Sequence, residues 1–67
     1  MDKKTQELIA IGASVTANCV PCFKFHLAKA REEVVSDDEI REAIRVGRMV
    51  RKGAAKTWDD EISSIFS

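Results

Sequence analysis

The sequence predicts an all-α domain, and three observations lead to that prediction. Apolar residues recur at helical spacing over much of the chain, as at Ile40, Ala43, Ile44, Gly47 and Val50. No segment alternates between apolar and polar residues for long enough to predict a strand, and no Asn-Gly or Asp-Gly pair marks a hairpin turn. With 45% hydrophobic and 33% charged residues, the composition is that of a folded chain rather than a disordered one.

About four helices are predicted, and the first two lie in the N-terminal half. Helix one covers roughly residues 4 to 16, and its run LIAIGASV is apolar nearly all round, which indicates burial on several sides. Gly12 within it costs about 1 kcal/mol of helix stability relative to alanine. A glycine at this position is therefore explained best by close packing of another helix, which we expect there. Helix two covers roughly residues 19 to 33. Asn18 is its predicted N-cap, and Pro21 lies in the first turn, where a missing N–H costs no intrahelical bond.

The last two helices follow from capping signals. Helix three begins at SDDE, where Ser36 and Glu39 have the spacing of a capping box. Gly53 is predicted to end it, because glycine is common just past a helix C-terminus. Helix four is predicted to begin at Thr57, and its large apolar residues share one face. These residues are Trp58, Ile62, Ile65 and Phe66. The short connections predict roughly antiparallel neighbours.

The chain is too short for an ample core of its own. Its 67 residues form one domain at most, so we assign residues 1–67 to a single domain. A domain of this size buries only about 60% of the surface that its unfolded chain exposes. Two cysteines form one bridge at most, so no disulfide framework replaces the missing core. We therefore predict that identical subunits complete the core as a homo-oligomer.

Charge and hydropathy bound the function and the location. Eleven basic and eleven acidic side chains cancel, which gives no global electrostatic reason to bind nucleic acid or an anionic membrane. The apolar stretches are too short to span a bilayer. Early lysines, an apolar run and Cys19 resemble a lipoprotein signal, but Glu7 and Asn18 are unusual at their positions in one. Two cysteines without a signal predict a reducing, cytoplasmic location.

Both cysteines and the only histidine lie within the segment CVPCFKFH, residues 19–26. On a helix, Cys19, Cys22 and His26 lie within about 60° of one another and share one face. The Cα atoms of the two cysteines would be about 5 Å apart, inside the range of an unstrained disulfide. The first turn of a helix favours thiolate over thiol, and histidine moves protons at neutral pH. The pattern predicts a redox-active pair assisted by His26.

Glu7 is predicted to add a carboxylate to the cysteine pair and the histidine of this site. If helices one and two reverse near residues 17 and 18, Glu7 lies about 15 Å back from the reversal and His26 about 12 Å forward. The two residues then have similar height along the pair. We therefore expect the carboxylate to approach the His26 ring or the Cys19 thiol, and to orient or charge-stabilise the imidazole.

These four residues, with their spacing, resemble the signature of the alkyl hydroperoxidase D-like family within the carboxymuconolactone decarboxylase superfamily. The flanking segments GASVTANCVPCFKFHLAKA and SDDEIREAIRVGRMVRKGAAK are similar to short stand-alone members, and the resemblance covers roughly residues 7–56. It implies an all-helical fold, homo-oligomers that are often hexamers, and a thiol–disulfide site served by a lipoyl protein or similar dithiol donor. It also implies reduction of hydroperoxides or of a peroxiredoxin partner.

Two features limit what the resemblance implies. The decarboxylase relatives lack the cysteine pair, so lactone decarboxylation is not expected here. Many members with the pair carry a histidine immediately before the second cysteine, where this chain has Pro21. This departure removes one proton carrier and puts peroxidase efficiency in doubt.

Other interpretations of these residues stay open. Free cysteines are often small buried hydrophobes, and Glu7 alone would be an ordinary solvated helix residue. Cys19, Cys22, His26 and a carboxylate also form a legitimate zinc ligand set, so a non-enzymatic zinc-binding or structural module is the alternative to an oxidoreductase. The sequence has no second Cys or His cluster, and we favour redox chemistry with no metal site and no cofactor.

Two surface features are noted without an assigned role. Arg45, Arg48 and Lys52 form a basic stripe at i, i+3 and i+7, which suits a solvated helix face or contact with a phosphate or an acidic partner. Trp58 is expected to pack the last helix onto a neighbour.

Overall fold

The computed structural model describes residues 1–66, and three helices account for most of them. Helix α1 covers Lys3–Thr16, α2 covers Val20–Ala30 and α3 covers Asp37–Ile65. Helix α1 packs against both α2 and α3, so it is the central element. The described residues contain no strand, and the prediction of an all-α chain is confirmed.

A tight reversal joins α1 to α2. Helix α1 ends close to the predicted residue, and Asn18 then takes a φ of 56°, in the left-handed region that asparagine tolerates better than most residues. Cys19, not Asn18, is the N-cap of α2, so the predicted cap was wrong by one residue. Pro21 lies in the first turn of α2 as predicted. The reversal brings Cys19 directly to the start of a helix.

Helix α2 is shorter than predicted, since it ends at Ala30 rather than near residue 33. The chain leaves the helix there and turns, and Val35 packs against the core residues Ile11, Ala30 and Ile40. Burying Val35 requires the chain to fold back, which a longer α2 would prevent. An exposed ion pair of 2.6 Å between Arg31 and Asp37 spans this connection.

The predicted third and fourth helices form one continuous helix of 29 residues, so the four-helix prediction was wrong. Gly53 does not take the left-handed conformation with which glycine commonly ends a helix. A glycine inside a helix costs only about 1 kcal/mol, and the neighbouring Lys52 and Ala54 are good helix formers. Thr57 does not act as an N-cap either, because its hydroxyl donates to the Gly53 carbonyl oxygen at 3.1 Å from inside the helix.

The start of α3 follows the sequence signal. The Glu39 N–H donates to Ser36 Oγ at 3.1 Å and the Ser36 N–H donates to Glu39 Oε1 at 3.0 Å, so the predicted capping box is confirmed. Lys4 Nζ lies 2.7 Å from the second carboxylate oxygen of Glu39. The bond from Lys4, with that from the Ser36 N–H, lowers the pKa of Glu39 to about 2. The carboxylate therefore stays ionised at mildly acidic pH and links the starts of α1 and α3.

Helices α1 and α3 cross closely at two glycines. A Cβ atom on Gly12 would lie 3.2 Å from the Ala43 carbonyl oxygen, and one on Gly47 would overlap the Gly12 carbonyl oxygen. Thr16 Oγ1 donates to the Gly47 carbonyl oxygen at 3.0 Å across the same crossing. The close packing predicted at Gly12 is confirmed, and Gly47 is its counterpart.

Much apolar surface stays uncovered in the single chain. Residues 52–66 of the C-terminal segment are all exposed, and Trp58 keeps 66% of its surface in solvent. Helix α1 was predicted to be buried on several sides, yet Ile9 is 55% exposed. Within residues 1–66, no helix combines the length and the apolar character needed to cross a membrane.

Candidate redox site

Cys19 and Cys22 are joined by a disulfide at the start of α2. Their Cα atoms lie 5.2 Å apart, close to the separation predicted from helix geometry. The backbone N–H of Cys22 donates to Cys19 Sγ at 3.2 Å, which is the capping bond of the helix. The Cys19 sulfur therefore lies at the positive end of the helix dipole. Such a position stabilises a thiolate when the disulfide opens.

The two sulfur-bearing residues differ in accessibility. Cys22 is exposed, whereas Cys19 is partly buried and lines a pocket of about 390 Å³ together with Val15 and Phe23. A large reactant can therefore reach Cys22 more easily than Cys19. The pocket suits a small molecule on the Cys19 side.

Glu7 and His26 meet across α1 and α2. Glu7 Oε2 lies 2.8 Å from His26 Nδ1, so the predicted approach of the carboxylate to the ring is present. Glu7 is only 8% exposed, and a buried carboxylate needs such a partner. An ionised carboxylate only accepts hydrogen bonds, so Nδ1 must carry the proton in this contact. The other ring nitrogen, Nε2, is then the one that can accept a proton.

The His26 ring is also held from the side by an aromatic neighbour. The Phe25 ring packs edge-to-face on it, with 5.1 Å between ring centroids and 87° between ring planes. His26 follows Cys22 by one helical turn, which places their Cα atoms about 6 Å apart. Helix α2 thus carries the disulfide and the proton acceptor on one rigid element, and α1 supplies the carboxylate.

Arg51 is a supporting residue that the sequence did not reveal. Its guanidinium donates to the Val15 carbonyl oxygen at 3.1 Å and to Asn18 Oδ1 at 3.0 Å. These bonds fasten the reversal that carries Cys19 to α3. Asn18 and Arg51 are 33 residues apart, so no local pattern could have predicted the contact.

The structure brings Glu7 and His26 into contact, and Cys19 and Cys22 into a disulfide, while their catalytic roles stay predictions. Within residues 1–66, no three His, Cys, Asp or Glu side chains are grouped so that they could hold a metal ion. In the basic stripe of Arg45, Arg48 and Lys52, Arg45 forms a two-pronged ion pair with Glu42, which neutralises its charge.

The model of the carboxymuconolactone decarboxylase family matches residues 1–58. The chain belongs to this family. The matched range includes both cysteines, the histidine and the glutamate of the candidate site.

A curated relative of this carboxymuconolactone decarboxylase family member is "Uncharacterized protein 4 in cox locus" from Paracoccus denitrificans. It is 38% identical over 55 residues, which are 82% of this chain and 50% of the relative. The chain therefore spans about half the length of the curated relative it matches. No solved structure matches the chain.

Proposed function

We propose that this protein is a thiol–disulfide oxidoreductase of the alkyl hydroperoxidase D-like type, which passes electrons from a dithiol donor to a hydroperoxide. The observation that carries the proposal is the disulfide at a helix start, one turn before a histidine held by a buried glutamate. Family membership supports it. The donor would be a lipoyl protein or a similar dithiol protein, and a peroxiredoxin disulfide is the other oxidant of suitable chemistry. A reducing compartment such as the cytoplasm would supply the donor.

Reduction of the disulfide begins at the exposed sulfur. A donor thiol gives its proton to His26 Nε2, and its sulfur attacks Cys22. The Cys19–Cys22 bond breaks, and Cys19 leaves as a thiolate that the helix start stabilises. The second donor thiol then attacks the donor sulfur of the mixed disulfide, and its proton passes to Cys22. The donor leaves as a disulfide, and the protein has gained two electrons and two protons.

Oxidation uses the Cys19 thiolate. Its sulfur attacks the terminal oxygen of the hydroperoxide, the O–O bond breaks, and a sulfenic acid forms on Cys19. The departing alkoxide takes the Cys22 proton and leaves as an alcohol. The Cys22 thiolate attacks the Cys19 sulfur, the S–O bond breaks, and the hydroxide takes the proton of the His26 imidazolium through water. The disulfide is restored, and one alcohol and one water are released.

Thiol counting tests the proposal. The dithiol-treated protein should show two free thiols, and about one equivalent of hydroperoxide should remove both. Bound zinc, measured on the same sample, should be far below one equivalent. Thiols that persist under mild peroxide, together with stoichiometric zinc, would instead support the zinc-binding alternative.

Changing Glu7 to Gln should slow thiol chemistry while leaving the fold in place. Glutamine still accepts the Nδ1–H bond but lacks the charge that stabilises an imidazolium. We expect the rate of thiol alkylation in the reduced protein near pH 7 to fall severalfold, with helix content unchanged by circular dichroism. Glu61→Gln, a carboxylate on the exposed part of α3, is the matched control. Equal alkylation rates in all three proteins would leave Glu7 with a structural role alone.

We also propose that the working form is a homo-oligomer, and the family resemblance favours a hexamer. In this oligomer, the C-terminal part of α3 pairs with the same segment of a second copy. The inner face of α3 that packs on α1 at Ile40 and Gly47 continues beyond the three-helix body as an exposed apolar stripe. The stripe consists of Ala54, Trp58, Ile62 and Ile65.

Charge favours a second copy as the occupant of this stripe. Basic residues lie before Trp58 at Lys52 and Lys56, and acidic residues follow it at positions 59–61. Lys56 and Asp60 form an ion pair of 2.8 Å within the helix, so the charges available to a second copy are mainly the others. An antiparallel pair centred on Trp58 would place the basic segment of each copy beside the acidic segment of the other. The same pairing would set Ala54 against Ile62 and cover both apolar stripes.

Trp58→Asp should therefore dissociate the oligomer. A charge at the centre of an apolar interface is strongly unfavourable, so the variant should approach the 7.5 kDa monomer mass by light scattering at micromolar concentration. Ser63→Asp, which adds the same charge on another face of the same segment, should keep the wild-type mass. A wild-type mass of 7.5 kDa would contradict the proposal directly.

A further inference from the structure

The pocket beside Cys19 combines apolar walls with a positive rim. It lies where the end of α1, the start of α2 and the middle of α3 come together, and its volume is about 390 Å³. Four of its lining residues are apolar: Val15, Val20, Phe23 and Ile44. Arg48 and Arg51 also line it, and none of its lining residues is acidic.

The two arginines differ from the paired cations elsewhere on α3. Arg41 and Arg45 each form an ion pair with a carboxylate of their own helix. Arg51 donates to a carbonyl and an amide oxygen, so its charge is fixed in place but not neutralised. Among residues 1–66, no carboxylate lies within ion-pair distance of Arg48. Two positive charges therefore stand at this pocket without an anion of the chain beside them.

This arrangement has a direct chemical complement. A planar guanidinium binds carboxylates through two parallel hydrogen bonds. These hydrogen bonds become stronger where apolar side chains exclude water. The apolar residues would cover an aliphatic chain, whose removal from water favours binding. Cys19, whose sulfur is a nucleophile once the disulfide is reduced, is also a lining residue of the pocket. A bound molecule would thus have an anionic end, an aliphatic body and a group that reacts with sulfur.

We propose that this pocket binds the oxidising substrate, and that this substrate is an aliphatic hydroperoxide that carries a carboxylate. The carboxylate binds Arg48, the chain lies against Val15, Phe23 and Ile44, and the hydroperoxyl group reaches Cys19. The inference rests on the proposed function, because the balanced reaction of the Cys19 thiolate with a hydroperoxide is the one given above. It adds the substrate class and names Arg48 as its specificity determinant.

The pocket can be tested without turnover. In the reduced Cys22→Ser protein, Cys19 is the remaining thiol, and hexanoate should slow its alkylation by iodoacetamide severalfold. Methyl hexanoate, which has the same chain without the charge, should protect much less. Adding Arg48→Gln should remove the protection by hexanoate, whereas adding Arg41→Gln, an exposed arginine of the same helix outside the pocket, should keep it.

Turnover supplies the second measurement. With both cysteines present, kcat/KM should be about tenfold higher for a hydroperoxy acid than for its methyl ester, which corresponds to one modest charged contact. Arg48→Gln should bring this ratio close to one by lowering only the rate with the acid. Equal protection by hexanoate and its ester, or a ratio that Arg48→Gln leaves unchanged, would overturn the inference. The thiol count would still support the oxidoreductase in that case, whereas persistent thiols with either hydroperoxide would reject both proposals.

Discussion

Gly47→Ala should destabilise the protein strongly, because it adds a methyl group where α3 crosses α1 most closely. The new Cβ would overlap the Gly12 carbonyl oxygen and lie 3.0 Å from Val15 Cβ. The first obstacle is backbone, which cannot rotate away as a side chain can, so α1 and α3 would have to separate. Overpacking of this kind typically costs about 1–3 kcal/mol, and we expect a value at the upper end. A 67-residue domain has only about 3–10 kcal/mol of stability in total.

Gly53→Ala is the matched control for that substitution. It makes the same chemical change in the same helix, but a Cβ there meets nothing within 4 Å. Alanine is the better helix former by about 1 kcal/mol, so this variant should be more stable than the wild type. Urea unfolding followed by circular dichroism measures both effects. If the two variants were equally stable, the close crossing of α1 and α3 would be wrong.

The two glycines also show what the sequence could and could not predict. Gly47 fell on the inner face of α3 by helical spacing, next to Ile40 and Ala43, so its burial was predictable from the pattern. Gly53 looked like a helix end, yet the same residue type is tolerated within a helix at modest cost. Nothing in the local sequence decides whether Gly53 ends a helix or lies within one. The capping box at Ser36 was predictable because both of its bonds are local.

The candidate site shows the same division between local and long-range information. The height of Glu7 opposite His26 followed from the position of the reversal and the rise of a helix, and the 2.8 Å contact agrees with it. The cap was assigned to Asn18 because oxygen-bearing side chains are the usual caps, whereas the Cys19 sulfur takes that role. Asn18 instead bonds to Arg51, a contact between residues far apart in the chain. The capping preferences of residue types describe local structure alone, so they could not predict that contact.

Replacing either cysteine by serine should abolish turnover, but the two variants should stop at different steps. In Cys22→Ser, the Cys19 thiolate still attacks a hydroperoxide, and no second sulfur resolves the sulfenic acid. We expect about one equivalent of a dimedone-reactive sulfenic acid on Cys19 by mass spectrometry. In Cys19→Ser, the exposed Cys22 should form a stable mixed disulfide with an aromatic disulfide reagent and accumulate much less sulfenic acid. This asymmetry follows from the helix start beside Cys19 and from the exposure of Cys22.

Ala28→Ser is the control for these variants, because it introduces a serine at an exposed position later in α2. This variant should retain full turnover. The reverse pattern, with sulfenic acid on Cys22 and little on Cys19, would exchange the two roles and show that His26 outweighs the helix start in activating a thiolate. Turnover that survives in either single variant would rule out a two-cysteine cycle, because one sulfur cannot by itself re-form the disulfide on which the cycle depends.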